Sequence, residues 1–258
     1  MKKTHFFAAL FVLLTCGLLT SCNHDSKSCL EGEHTFNGYY SGENLDYIAF
    51  PIGGIGAGMF CLDGSGSISH LSVKHKPEMY NEPIAFAAIS IKGVEKGAKL
   101  LETQVPRWKL FGPAQTRLGS PGKSYGLPRF ERGRFLARFP FASIDLEDDD
   151  IPLEVKISAW SPFIPGDADN SSLPAGAIEY SFENNTSKEI EAVFSWNSRN
   201  VIQEWVGRIT EIENGFNMTV NQPDAGKSGF SVFVNDSSTV VDYCWFRGEW
   251  FDPHMILW

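Results

Sequence analysis

A chain of 258 residues with 43% apolar composition can bury a sizeable core, as one large domain or two small ones. Its formal charge of −9 argues against nucleic acid or anionic lipid as an electrostatic partner. Five cysteines, at positions 16, 22, 29, 61 and 244, fit no zinc-binding spacing.

The N-terminus reads as an export signal. Lys2 and Lys3 precede an apolar run from Phe6 to Leu19, too short to span a bilayer, and small residues follow. The sequence Leu19-Thr20-Ser21-Cys22 resembles a bacterial lipobox, in which the cysteine becomes the acylated N-terminus of the mature protein. Plain signal cleavage, with Cys22 an ordinary residue, is the alternative, and Cys16 is the weaker lipidation candidate. The expected organisation is a signal over residues 1–21, a flexible tether over 22–37 and a domain over 38–258. The expected location is a membrane-anchored lipoprotein, in the periplasm or at the cell surface. Cleavage removes two lysines and no acid, so −9 less two gives −11 for the mature chain. A lipid holds such a protein at a membrane without a basic face.

Beyond the tether, period two dominates. Phe135, Ala137, Phe139 and Phe141 predict one strand, followed by Ile144 and Leu146. Ile151, Leu153, Val155, Ile157 and Ala159 alternate with polar residues and predict another, as do Ile178, Tyr180 and Phe182, and then Phe230, Val232 and Val234. Turn residues punctuate these runs, at Asn184-Asn185 and Glu213-Asn214-Gly215 among others. No sustained helical stripe follows the signal. The expected fold is all-β: a large two-sheet antiparallel β-sandwich.

Chemistry is sparse. Gly53, Gly54, Gly56 and Gly58 lie in Phe50-Pro-Ile-Gly-Gly-Ile-Gly-Ala-Gly58, but Met59 stands where a dinucleotide fingerprint needs glycine, and strand alternation follows instead of a helix. Backbone freedom or close chain approach explains these glycines better. His70 and His75 are an odd number apart in a strand-like stretch, which places them on opposite faces, while His34 and His254 have no local partners. The acids Asp145, Glu147, Asp148, Asp149 and Asp150 lack the alternating ligand spacing and central glycine of a calcium loop and read as a solvated hairpin tip, and Asp167 and Asp169 pose the same calcium question. No metal and no cofactor is expected. Glycosidase chemistry needs two facing carboxylates. Glu131, Glu179, Glu204, Glu249 and Asp252 cannot be paired from sequence. Tryptophans 108, 160, 196, 205, 245 and 250 have the ring faces to stack on sugars, although most belong in a core.

The loop Trp160-Ser-Pro-Phe-Ile-Pro-Gly-Asp-Ala-Asp-Asn-Ser-Ser-Leu-Pro174 is the most distinctive segment. Pro162, Pro165 and Pro174 stiffen it, and Trp160, Phe163 and Ile164 are unsuited to a solvated connection. Together with Phe50 to Gly58, Leu127-Pro-Arg-Phe130, Glu179-Tyr-Ser-Phe-Glu-Asn184 and Phe246-Arg-Gly-Glu-Trp-Phe-Asp-Pro253, it resembles the N-terminal region of glycoside hydrolase family 116. That family includes the non-lysosomal glucosylceramidase and bacterial β-glucosidases.

The resemblance implies an N-terminal β-sandwich that rests on a C-terminal (α/α)₆ barrel, and hydrolysis of β-glycosides with retention. The two catalytic carboxylates belong to the barrel, so no catalytic residue carries over to this chain. Gly53, Gly54, Gly56, Gly58, Trp160, Pro162, Phe163, Pro165 and Pro174 are structural signature positions. The apolar ending His254 to Trp258 adds the expectation of a fragment, with a separately encoded barrel as partner and a β-glycoside or glycan as ligand. A stand-alone lipid-anchored carbohydrate-binding lipoprotein is the alternative.

Overall fold

The computed structural model describes residues 35–79, 81–110, 124–202, 208–222 and 226–243. The lipidation candidate Cys22, the tether up to His34, Glu204, Trp205 and everything from Cys244 onward lie outside the described residues.

Strands run in chain order as β1 (Tyr40–Ser41), β2 (Ala49–Ile52), β3 (Met59–Asp63), β4 (Ile68–Ser72), β5 (Ala85–Ile91), β6 (Ala98–Leu100), β7 (Arg132–Arg138), β8 (Phe141–Glu147), β9 (Glu154–Trp160), β10 (Ala177–Glu183), β11 (Ala192–Ser198), β12 (Arg208–Ile212), β13 (Gly215–Gln222) and β14 (Gly226–Phe233). Helix among the described residues is limited to short pieces: a 3₁₀ segment, Gly42–Tyr47, and two single turns, α1 (Arg107–Leu110) and α2 (Ala168–Ser171). The strands form four antiparallel sheets, ordered β1-β7-β8-β9-β10, β11-β5-β6, β12-β13-β14 and β2-β3-β4. This is an all-β sandwich.

Side-chain alternation decides which face of the five-stranded sheet is covered. Phe135 of β7, Ala142, Ile144 and Leu146 of β8, and Val155, Ile157 and Ala159 of β9 are all buried. They join one core with Ala87, Ile89 and Ile91 of β5 and with Phe50, Ile52 and Leu62 of β2 and β3. Full burial of side chains such as Phe135 and Ile157 contributes about 1.5–3 kcal/mol apiece. The opposite face carries Arg134, Asp145 and Lys156 in register across β7, β8 and β9. Strand β5 is buried on both faces, since Phe86 turns away from the main core to pack with Leu100 and Leu127.

The structure departs from the sequence reading in three places. The alternation from Phe135 to Phe141 is not one strand: a tight turn at the cis Phe139–Pro140 bond divides it into β7 and β8, with Arg138 opposite Phe141. Strand β9 starts at Glu154 and not at Ile151, because the Ile151 amide bonds back to the Asp148 carbonyl and Pro152 has no N–H to give a ladder. The acidic run is only partly solvated. The Asp148 side chain is fully buried and meets the Lys99 ammonium at 2.5 Å. It also accepts hydrogen bonds from the amides of Glu131 and Asp150.

Candidate functional site

Two of the signature segments meet at one end of the sandwich. Gly54 lies so close to the Trp160–Pro174 loop that a Cβ built on it would stand 2.0 Å from the Leu173 carbonyl oxygen. The next amide, Ile55, donates to the Ser171 carbonyl at 2.8 Å. Ser161 fixes the other side: its hydroxyl donates to the Pro51 carbonyl and accepts from the Gly53 amide, while its own amide donates to the Pro140 carbonyl. Gly53, Gly56 and Gly58 have φ of +151°, +74° and +97°. At Gly58 a side chain would be strained and would also crowd the Ser72 carbonyl, at 2.9 Å.

Within the loop, Trp160 ends β9 with its ring half exposed, opposite Phe141 and Ala177. Phe163 packs edge-on against Phe139 with ring centroids 5.0 Å apart. Asp167 caps α2 by accepting from the Asn170 amide, and this bond, with that from the Asn170 side chain, holds its carboxyl below the usual range. Between Pro162 and Pro165, Ile164 bonds through both its amide and its carbonyl to the Ser171 hydroxyl. Pro174 leads out of the loop toward β10.

A second constellation is buried in the middle of the chain. Asp63, at the end of β3, accepts from the amides and hydroxyls of Ser65 and Ser67, which shape the β3–β4 turn. The Lys109 ammonium, on α1, sits 2.5 Å from the same carboxylate and also pairs with Glu82. Tyr125 donates to Glu82. Beside them, Arg129 of the Leu127–Phe130 segment pairs with Glu102 at 3.2 Å and donates to the Tyr125 and Leu127 carbonyls. The side chains of Asp63, Glu82, Glu102, Lys109 and Arg129 are all nearly inaccessible. Glu82, Glu102, Lys109 and Arg129 border a cavity of about 30 Å³. That space suits a couple of waters and is about a tenth of the smallest ordinary small-molecule sites.

Burial sets the electrostatics here, and neighbours reverse it at two groups. Burial disfavours charge on Asp63, but Lys109 and the serine hydroxyls outweigh it and hold the carboxyl below its ordinary value. Lys109 likewise loses hydration, yet Asp63 and Glu82 keep its pKa raised. At Glu102 burial prevails over the pull of Arg129 and pushes the carboxyl up. His70, whose ring lies 5.9 Å from that of Trp108, is lowered by burial and then by Lys109.

The family model described as beta-glucosidase 2, glycosyl-hydrolase family 116 N-term matches residues 49–238. The chain belongs to this family. No curated protein matches it. The match spans both segments that lock at the loop end and the whole buried charge cluster.

As a family 116 N-terminal domain, it places its sequence-nominated acids apart from one another in role. Glu131 is exposed and pairs with Arg132 at 3.1 Å. Glu179 stands on the open face of β10 opposite Ser158. Glu249 and Asp252 lie outside the described residues, as does Glu204. His75 lies beyond the end of β4 in a turn, so the opposite-faces argument does not apply to it. Among the described residues no three His, Cys, Asp or Glu side chains converge to hold a metal. Trp196 packs against the core. The Asp63–Lys109–Glu82 cluster escaped sequence reasoning because its members are far apart along the chain and sit in no motif.

The opposed shifts give the family 116 domain a defined acid response. Asp63, with a depressed folded value, contributes stability that is present above its unfolded value near 3.8 and is lost as pH falls. Glu102, with a raised folded value, contributes in the opposite sense: its share is present at low pH and is lost as pH rises past its unfolded value near 4.5. Glu102→Gln is therefore expected to gain stability relative to the parent between pH 4 and pH 7. Urea midpoints at both pH values check this, and a constant difference between the two proteins refutes it.

Proposed function

We propose that this domain is the non-catalytic sandwich half of a retaining β-glycosidase. It is exported, held at a membrane by a lipid on Cys22, and acts together with an (α/α)₆ barrel that carries both catalytic carboxylates. The observation that carries the sandwich-half reading is the family 116 N-terminal match over residues 49–238, while export and the anchor rest on the Lys2 to Cys22 sequence alone. The acids support it. A retaining glycosidase sets two carboxyl groups about 5–5.5 Å apart, one to attack the anomeric carbon and one to donate and then accept a proton. Here Asp63, Glu82 and Glu102 are bound to buried cations, Asp148 is held by Lys99, and Glu131 is tied to Arg132 on the surface.

Expression of the full chain in bacterial cells tests both halves of the proposal. The chain alone is expected to release no chromophore from aryl β-glucosides, and co-expression with the barrel half of a family 116 β-glucosidase is expected to restore turnover. In the same cells the chain should fractionate with membranes, and Cys22→Ala should release it. Turnover by the chain alone refutes the non-catalytic assignment, and an unchanged distribution of Cys22→Ala refutes the anchor.

A further inference from the structure

The loop end of the sandwich exposes more apolar surface than its neighbours require. Ile55, Phe139, Phe141, Trp160, Ile164 and Leu173 have exposures from 42% at Trp160 to 59% at Ile55 and Phe141. They are carried on adjoining segments. Gly54, next to Ile55, touches Leu173; Ile55 and Ile164 both bond to Ser171; Phe141 faces Trp160 across β8 and β9; and Phe139 leads through Pro140 to Ser161.

Area selects the kind of occupant. Aromatic side chains bury roughly 150–250 Å² each, and the large aliphatic ones somewhat less. Six such side chains, each about half exposed, present on the order of 600 Å² of apolar surface, the top of the range found on monomers. A standard-size specific interface is about 56–58% apolar and buries about 800 Å² on each partner. This end therefore supplies the apolar share of one complete side of a stable interface. Three of the six residues are branched aliphatics, which offer no flat ring face to a sugar, so the composition favours protein over glycan. The segments are also fixed in place, by Ser161 against Pro51, Gly53 and Pro140 and by Ser171 against Ile55 and Ile164.

We propose that this end is the face that docks on the barrel domain, an assignment that rests on the function proposed above. The contact is apolar: Ile55, Phe141, Trp160 and Ile164 enter a hydrophobic surface of the partner, while the charged rows farther along the five-stranded sheet stay in water.

The test is co-purification of the full chain with the barrel half of a family 116 β-glucosidase expressed as a separate polypeptide, with aryl β-glucoside turnover as a second readout. The double variant Ile55→Glu/Ile164→Glu and the milder Phe141→Ala are expected to lower barrel recovery and turnover, the first at least tenfold, with unchanged melting temperatures. Val193→Glu, at an exposed site on β11, is expected to change neither readout. If the parent chain binds the barrel but the loop-end variants bind as well as the parent, the face is wrong and the proposed function survives. If the parent chain fails to bind, both fall. Self-association of the chain that the double variant abolishes would assign the face to a second copy and overturn the proposal.

Discussion

Replacing Lys109 by methionine is expected to lower the unfolding free energy by about 3–5 kcal/mol, the cost of leaving buried charges without their partner. The substitution keeps the aliphatic stem and removes only the ammonium, so lost packing does not explain the effect. Two carboxylates, Asp63 and Glu82, lose their common cation in a site where both are nearly inaccessible. Domains of this kind are stable by about 5–15 kcal/mol, so the variant forfeits a large fraction of the total. Urea unfolding followed by tryptophan fluorescence measures it. Arg132→Ala is the control. Its guanidinium lies 2.6 Å from Asp149, but in water, and its removal is expected to leave the urea midpoint in place. If both variants behave alike, burial of the Lys109 cluster has no energetic consequence.

Gly54→Ala is expected to cost about 3 kcal/mol, the upper end of ordinary overpacking. The added methyl meets the Leu173 carbonyl oxygen at 2.0 Å and backbone carbons of Ser172 and Leu173 at 2.8 Å. None of these atoms can rotate away, so the two signature segments must separate. The Ile55–Ser171 and Gly53–Ser161 hydrogen bonds are then at risk. For a domain of this size the loss corresponds to a fall in melting temperature of about 6–12 °C. Gly56→Ala isolates the other glycine effect: its φ is +74° but nothing lies within 4 Å of the new methyl, so left-handed strain alone, about 1–2 kcal/mol, is expected. Equal effects at positions 54 and 56 would contradict the close approach of the two segments.

What the sequence makes legible here follows from how local each signal is. Val155, Ile157 and Ala159 alternate with charged or small polar residues, and a half-covered strand needs no more than that. The same rule fails between Phe135 and Phe141, because the aromatic alternation continues through the Phe139–Pro140 turn and hides it. Asp148 sits among acids that are mostly wet. Its burial depends on Lys99, 49 positions away, and no periodicity announces such a partner. The Lys109 cluster is opaque for the same reason, since Asp63, Glu82, Glu102 and Arg129 arrive from separate strands and loops. The loop end was visible only through its unusual composition. Three prolines and several apolar residues in one connection mark it as ordered, but that Ile55 and Leu173 share its surface depends on how the chain folds back at Gly54.

The prolines at 162, 165 and 174 also govern timing. They narrow the range of shapes the loop samples in the unfolded chain, and the Ser161 and Ser171 bonds hold the folded one, so little ordering is left for the moment of encounter. A surface already in its bound shape captures its partner at a rate set by collision and orientation. On the docking proposed above, substitutions at Trp160 or Ile164 would be felt in how long the pair with the barrel lasts and hardly at all in how fast it forms.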